Sequence, residues 1–426
     1  MVCKVESKLK SLSWLSSLYF VEGLPNAIVG TLSVGYYKSM GMDNSTIALL
    51  TSSLYLPWVL KGIWAPLVDS VSRKRVWILL CASVFFFCFA GLALAQFLES
   101  WVFFTASIFW LLGFASATFD ISADGFYMLA LSPKEQSFFV GVRNAFYRIA
   151  VLFGQGALMI IAGKGEALFG GIARGWSVSF GVCAIVAGAA VPIMFLTLPK
   201  PESDKSADAV DFPSVLRNMW SVFVEFFTKK HIGTILAFVL LYRFAEAQLL
   251  RVVQPFLLDG VAEGGLGMST AQLGFVYGTV APVALLGGGV IGGFLISKYG
   301  LAKMMLPMAC AINLPNIIYV YMAFVQPQNG GLNLALISFE QFGYGLGFSS
   351  FMVFLMWASR GANKTANYAI CTSLMALGII LPGYFSAFLQ LYVGYLAFFE
   401  WIMVSTLVSF AVAFLAVRLI KKSGGY

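Results

Sequence analysis

The sequence predicts an all-α membrane protein of twelve transmembrane helices arranged as two six-helix bundles, and three observations carry that reading. Hydrophobic residues make up 60% of the 426-residue chain, charged residues only 11%, and mean hydropathy is +0.86. The apolar residues come in long runs, and about 20 of them are enough to cross roughly 30 Å of hydrocarbon. A polar segment at 199–230, with Pro199, Pro201, Glu202, Asp204, Lys205, Asp208, Asp211 and Pro213, divides the runs into six and six. Backbone groups inside lipid have no water to bond, so each run is read as a helix.

Span 1, at 12–37, follows Lys4, Lys8 and Lys10 and imitates a secretory signal. Glu22, Pro25 and Asn26 interrupt its apolar run and no clean small-residue cleavage site follows, so it is expected to be retained. Span 2, at 45–68, ends in a basic loop containing Asp69, Arg73, Lys74 and Arg75, and span 3 follows at 76–98. Span 4, at 101–131, carries Asp120 and Asp124, whose spacing of four puts both on one helical face. Span 5, at 136–163, carries Arg143 and Arg148, and span 6, at 176–198, closes the first bundle. The second bundle opens with span 7 at 231–258, bearing Arg243, Glu246 and Arg251. Spans 8 and 9, at 270–297 and 303–325, flank a second basic loop. Span 10, at 333–358, holds Glu340, and spans 11 and 12 are read at 367–392 and 394–418. The domain expectation is therefore a bundle at 1–198, a cytoplasmic linker at 199–230 with an interfacial helix at 215–227, and a bundle at 231–426.

Basic residues cluster at the termini and in the even-to-odd loops, whereas the opposite face has only Lys38, Lys164 and Arg174. By the positive-inside rule both termini are expected in the cytoplasm, at the inner membrane. The net charge of +8 then reports topology, and no nucleic-acid partner is expected. Six cysteines without a C-x-x-C pair and the lone His231 give no metal set. Neither a nucleophile–base motif nor a phosphate loop is visible, so neither enzymatic activity nor a cofactor is expected. The partners left are the bilayer, protons and a small-molecule substrate, handled by a monomer.

Charges within spans are costly unless paired or hydrated, and they default to function. Taking about 1.5 Å per residue, Asp120 and Arg148 fall near mid-depth, with Glu22 and Arg243 at a similar level. Lys61, Asp124 and Arg143 form a second layer nearer the cytoplasm. A midplane carboxylate facing an arginine can bind a proton in a manner that depends on the arginine's occupancy. Proton coupling is accordingly expected of Asp120, Glu22 and Glu246. Substrate contacts are expected of Arg148 and Arg243, facing each other across a central cavity, with Asn26, Tyr147, Gln155 and Glu340. A cytoplasmic gate is expected of Lys61, Asp124 and Arg143. Static ion pairing is the alternative for each charged member. Aromatic side chains, Tyr277, Tyr344 and Tyr384 among them, could stack on sugar rings.

The loop at Ala65-Pro66-Leu67-Val68-Asp69-Ser70-Val71-Ser72-Arg73-Lys74-Arg75 and its counterpart at Gly293-Phe294-Leu295-Ile296-Ser297-Lys298-Tyr299-Gly300-Leu301-Ala302-Lys303 both resemble the G-x-L-A-D-R-x-G-R-K loop of the major facilitator superfamily. The first lacks the glycines, and the second has Ser297 where the aspartate stands. In that family the loop tethers the cytoplasmic gate, which implies a place in the gate for Asp69 and Arg73. Lys61-Gly62-Ile63-Trp64-Ala65-Pro66-Leu67-Val68-Asp69 further resembles the K-x-x-W-[AS]-P-L-x-D stretch of AmpG permeases. Ser116-Ala117-Thr118-Phe119-Asp120-Ile121-Ser122-Ala123-Asp124-Gly125 is similar to their S-A-x-x-D-I-x-x-D-A, and Tyr147-Arg148 to their Y-R pair. The resemblance implies proton-driven import of anhydromuropeptides, with Asp120, Asp124 and Arg148 as the residues of coupling and transport. Glu22 departs from the small residue usual beside the family's Gly-Leu-Pro. Import of another anionic molecule (acyl-coenzyme A-like) or an oligosaccharide remains open, as does a non-transporting membrane sensor.

Overall fold

A computed structural model describes residues 2–42, 46, 50, 51, 53–204, 212–268, 272, 275, 276 and 280–423. Tyr277, part of spans 2 and 8, and linker residues 205–211 fall outside these, as do the side chains of Arg251 and Tyr384. Two compact units divide the chain by packing rather than by chain order. The first comprises Met1–Ala130, Phe146–Val222 and Gly361–Ile370; the second comprises Leu131–Ala145, Phe223–Arg360 and Cys371–Tyr426.

Among the described residues, eight helices are long and apolar enough to cross a membrane, and they correspond to spans 3–6, 8, 9, 11 and 12. The four spans outside that set have identifiable causes. Span 1 has Glu22, Pro25 and Asn26 in its middle, and span 2 begins in residues outside the description. Span 7 breaks at Tyr242 and Arg243, between helices Ile232–Leu241 and Phe244–Leu258. Span 10 is one long helix, Gly330–Ala358, whose Glu340, Gln341, glycines and serines lower its hydropathy. Polar groups that weaken a span's apolar signal are the ones that carry its chemistry.

In the first unit, span 1 runs as Val2–Ala27, widens into a π segment at Ile28–Leu32 and resumes as Ser33–Ser39. Span 5 repeats the device, with Pro133–Leu152, a π segment at Phe153–Ala157 and Leu158–Phe169. The two π segments pack together, and Gly154 helps them approach: a Cβ there would sit 2.7 Å from the methyl of Ala27, the residue before the first segment. Such π segments recur at functional sites because they re-aim side chains within a helix. Tyr36 and Tyr37 then anchor span 1 in an aromatic cluster with Trp101, Phe109, Trp176 and Phe180.

In the second unit, the glycine-rich helix Ala281–Tyr299 lies along Gly330–Ala358, the close backbone approach that small residues permit between membrane helices. Its apolar core joins Phe256, Tyr319, Met322, Ile337, Tyr395 and Phe399. Spans 11 and 12 form a continuous run, Lys364–Lys422, that turns at Gly394 with φ 78°. The linker ends in a helix, Phe212–Phe227, whose Val222 packs on Ala65, Val68, Ile121 and Ala366.

Candidate functional site

The first unit gathers its intramembrane charges into one buried cluster. Helix Leu56–Val71 and helix Trp101–Ala130 pack side by side, which sets the buried Lys61 ammonium against the half-buried Asp120 carboxylate in an ion pair. One turn along, Asp124 accepts a hydrogen bond from the Tyr19 hydroxyl of span 1 at 3.2 Å. Glu22 lies a turn beyond Tyr19, and the carboxylates of Glu22, Asp120 and Asp124 come within 4.8 Å of one another. Lys61 feels all three. The two depth layers read from helical rise thus converge: Lys61 bonds Asp120, not Asp124.

Span 5 reaches this cluster through a glycine. A Cβ on Gly23 would stand 2.5 Å from the Tyr147 carbonyl, so a residue without one lets spans 1 and 5 touch. Tyr147 therefore lies within electrostatic range of Glu22, Asp120 and Arg148. Arg148 is half-buried next to Tyr147 and has no ion-pair partner among the described residues. Asn26 is half-buried in the last turn before the first π segment, and Gln155 is exposed within the second. Three acidic groups around one lysine can exchange a proton as the lysine's partner changes, and an anion at Arg148 would shift that balance.

Lower in the same unit, Asp69 ties two elements together. Its carboxylate holds the Lys74 ammonium at 2.6 Å and accepts the Ala366 backbone amide at 3.0 Å, in the first turn of helix Lys364–Lys422. Helix N-terminal amides lack intrahelical partners and favour an anion there. Asp204 of the linker caps the next helix in the same way, accepting from the amides of Lys74 and Arg75. Arg73 is exposed at the entrance to that helix, beside a cavity of about 530 Å³ also lined by Arg75, Lys200, Glu202 and Asp204. In the second unit the equivalent loop position, Ser297, donates its hydroxyl to the Lys134 carbonyl at 3.0 Å. The same unit holds Arg143, which is buried on the first part of span 5.

The break in span 7 places Arg243 at its own helix N-cap, with φ −101° and ψ 19°. Its guanidinium makes a fork with Glu246, Nε to Oε2 at 2.7 Å and Nη2 to Oε1 at 3.1 Å, and donates to the Tyr344 hydroxyl at 2.8 Å. The Phe348 ring lies 5.0 Å away. Arg243 and Glu246, assigned from sequence to substrate and proton respectively, are thus bonded to each other. Glu340 is buried and accepts from the Tyr319 hydroxyl at 3.0 Å and the Gln341 amide at 2.9 Å. Sequence reasoning missed Tyr19 and Tyr319. A tyrosine inside a membrane span must find a partner for its hydroxyl, and that requirement was the available signal.

The sequence model of the Major Facilitator Superfamily matches residues 15–382. The chain is 24% identical over 372 residues to the AmpG 4 transporter of Rickettsia conorii, covering 84% of this chain and 85% of that one. It is also 24% identical over 377 residues to the anhydromuropeptide permease of Escherichia coli, covering 86% of this chain and 71% of the relative. Among solved structures, the E. coli fucose:proton symporter FucP superposes with a TM-score of 0.72 at 15% identity, over 96% of this chain and 98% of that one. The proton:xylose symporter XylE, bound to 6-bromo-6-deoxy-D-glucose, gives 0.63 at 14% identity, over 97% and 94%. At such identities these structures speak for the fold alone, which is the twelve-helix arrangement of two six-helix bundles. The chain belongs to the Major Facilitator Superfamily, as a multi-pass membrane transporter, and not an enzyme, whose relatives are AmpG-type permeases.

Proposed function

We propose that this transporter is a proton-coupled importer of anhydromuropeptides or related amino-sugar compounds. It would act as a monomer in the inner membrane with both termini in the cytoplasm. The observation that carries the reading is the cluster of Glu22, Asp120 and Asp124 around Lys61, with Tyr147 and Arg148 alongside. A muropeptide offers carboxylates to Arg148 and sugar rings to Tyr147, with Asn26 and Gln155 as hydrogen-bonding groups nearby. Arg243 enters the substrate site on release from Glu246. Asp120 takes the proton when Lys61 moves off it, Glu22 and Glu246 being its auxiliaries. Lys61, Asp69, Arg73, Asp124 and Arg143 serve the cytoplasmic gate. The moving bodies are the bundles 1–198 and 231–426, joined by the linker 199–230, in alternating access. The E. coli relative's name, the inward-biased charge distribution and the lack of a nucleotide-binding motif support this reading. Uptake of a labelled anhydromuropeptide panel into proteoliposomes, with and without an inward proton gradient, tests it. Gradient-dependent accumulation of the disaccharide-bearing members is expected, and transport of none of them would refute the substrate class.

A further inference from the structure

Glu340 differs from the ion-paired carboxylates Asp120 and Glu246. Asp120 is answered by Lys61 and Glu246 by Arg243, but no cation lies within ion-pair distance of Glu340 among the described residues. Its two partners are neutral donors, the Tyr319 hydroxyl and the Gln341 side-chain amide. The charges around it are few. Glu246 is near enough to repel an ionised Glu340, and Arg243, the cation that could compensate, is committed to Glu246 and Tyr344. Helix Ile232–Leu241 contributes no ionisable group. Helices Ala281–Tyr299 and Leu301–Asn313 contribute two charges, Lys298 and Lys303, and the neutral titratable groups Tyr299 and Cys310. Gly292 and Met308 of those helices pack at Ser349 and Gly347, two turns past Glu340, and both lysines lie farther still.

A second feature adds polar capacity to the same place. Helices Leu301–Asn313 and Ile317–Val325 are joined by a 3₁₀ turn, Leu314–Asn316, with Pro315 at its centre. Asn316 lies one turn before Tyr319, is buried, and neither its amide nitrogen nor its carbonyl oxygen has a protein partner. A buried amide can donate two hydrogen bonds and accept others, so Asn316 can serve either form of a neighbouring acid or a water between them. A buried, unpartnered amide thus stands one turn along the chain from the tyrosine that bonds Glu340, beside an apolar core.

We propose that Glu340 is a second proton-binding site of the transporter, held in the second unit by Tyr319 and Gln341 and separate from the Asp120 cluster. The inference deepens the proton-coupled reading by assigning a proton carrier to each unit. Protonation removes the one uncompensated charge among Arg243, Glu246 and Glu340, whereas the two donors stabilise the ionised form. The opposition of these effects suits a group that loads and unloads within the working pH range.

Infrared difference spectra of the full chain in lipid vesicles, recorded from mildly acidic to mildly alkaline pH, read the site without substrate or gradient. The wild-type chain should show a titrating protonated-carboxyl band that Glu340→Gln deletes and Asp120→Asn leaves in place. Tyr319→Phe removes a donor to the ionised form and should raise the proton affinity of that band about tenfold, an upward midpoint shift of about one pH unit. Persistence of the whole signal in Glu340→Gln would overturn the proposal, as would an unmoved or lowered midpoint in Tyr319→Phe. Should Glu340→Gln fail to fold, Tyr319→Phe decides alone. A chain that shows the Glu340 band yet ignores a proton gradient in uptake would refute the coupling reading while upholding this site.

Discussion

The Lys61 ammonium and the Asp120 carboxylate form a largely buried ion pair between spans 2 and 4, with Glu22 and Asp124 crowding the same lysine. Removing one member of a buried pair strands the other's charge, at a cost of about 3–5 kcal/mol, whereas neutral replacement of both can be tolerated. Lys61→Met should lower the melting temperature in detergent, and adding Asp120→Asn should recover part of that loss, since Glu22 and Asp124 still face the missing cation. Additive losses in the double-mutant cycle would show that the two residues do not depend on each other.

Spans 1 and 5 meet at Gly23, where an added methyl would run into the Tyr147 carbonyl. Overpacking of this kind costs about 1–3 kcal/mol, and here it would also push Glu22 and Arg148 apart. Gly23→Ala should therefore impair uptake strongly. Gly30→Ala, seven residues on with nothing within 4 Å of the added carbon, should not. Equal uptake by both variants would dismiss the contact as a determinant of the site.

Asp69 accepts the Ala366 amide and holds Lys74, so it fastens the start of span 11 within the first unit. Loss of such a cap costs about 0.5–2 kcal/mol. Asp69→Ala should lower stability by that order and slow transport, and Asp69→Asn, which can still accept from the amide, should recover part of the stability. Thermal melts and initial uptake rates measure the two effects separately. No loss in Asp69→Ala would remove the tether.

Lys229, at the end of the linker, donates to the carbonyls of Ala358 and Arg360. Burial pushes its ammonium below the ordinary lysine range, against the pull of Glu225. The unfolded chain therefore holds this proton more tightly than the folded one. Stability should rise with pH between the lowered folded value and the ordinary value near 10.5, as the folded state sheds its penalised charge. Lys229→Met should flatten that alkaline rise in a melting-temperature profile, and an unchanged slope would contradict the assignment.

Much of this was legible in the sequence because a bilayer imposes strong composition rules. The spans, the polar divider and the charged residues Lys61, Asp120, Asp124, Arg243 and Glu246 all stand out against apolar surroundings. Pairing was less legible. Helical rise sorted Lys61 with Asp124, but which carboxylate a flexible lysine reaches depends on how spans 2 and 4 are tilted and staggered against each other, and periodicity does not encode that. The Arg243–Glu246 fork needed the break at Tyr242 and Arg243, where no proline or glycine announces one. Tyr19 and Tyr319 looked like ordinary aromatic residues until their hydroxyls met Asp124 and Glu340.

The measurement that tests the central claim most directly is proton entry during substrate uptake. Proteoliposomes carrying a pH-sensitive dye inside should acidify when an anhydromuropeptide is added outside, in step with uptake of the labelled compound. Asp120→Asn should lose both the acidification and net accumulation while keeping exchange of internal for external substrate, since exchange moves no net proton. Wild-type accumulation of the substrate with no proton entry would contradict the account.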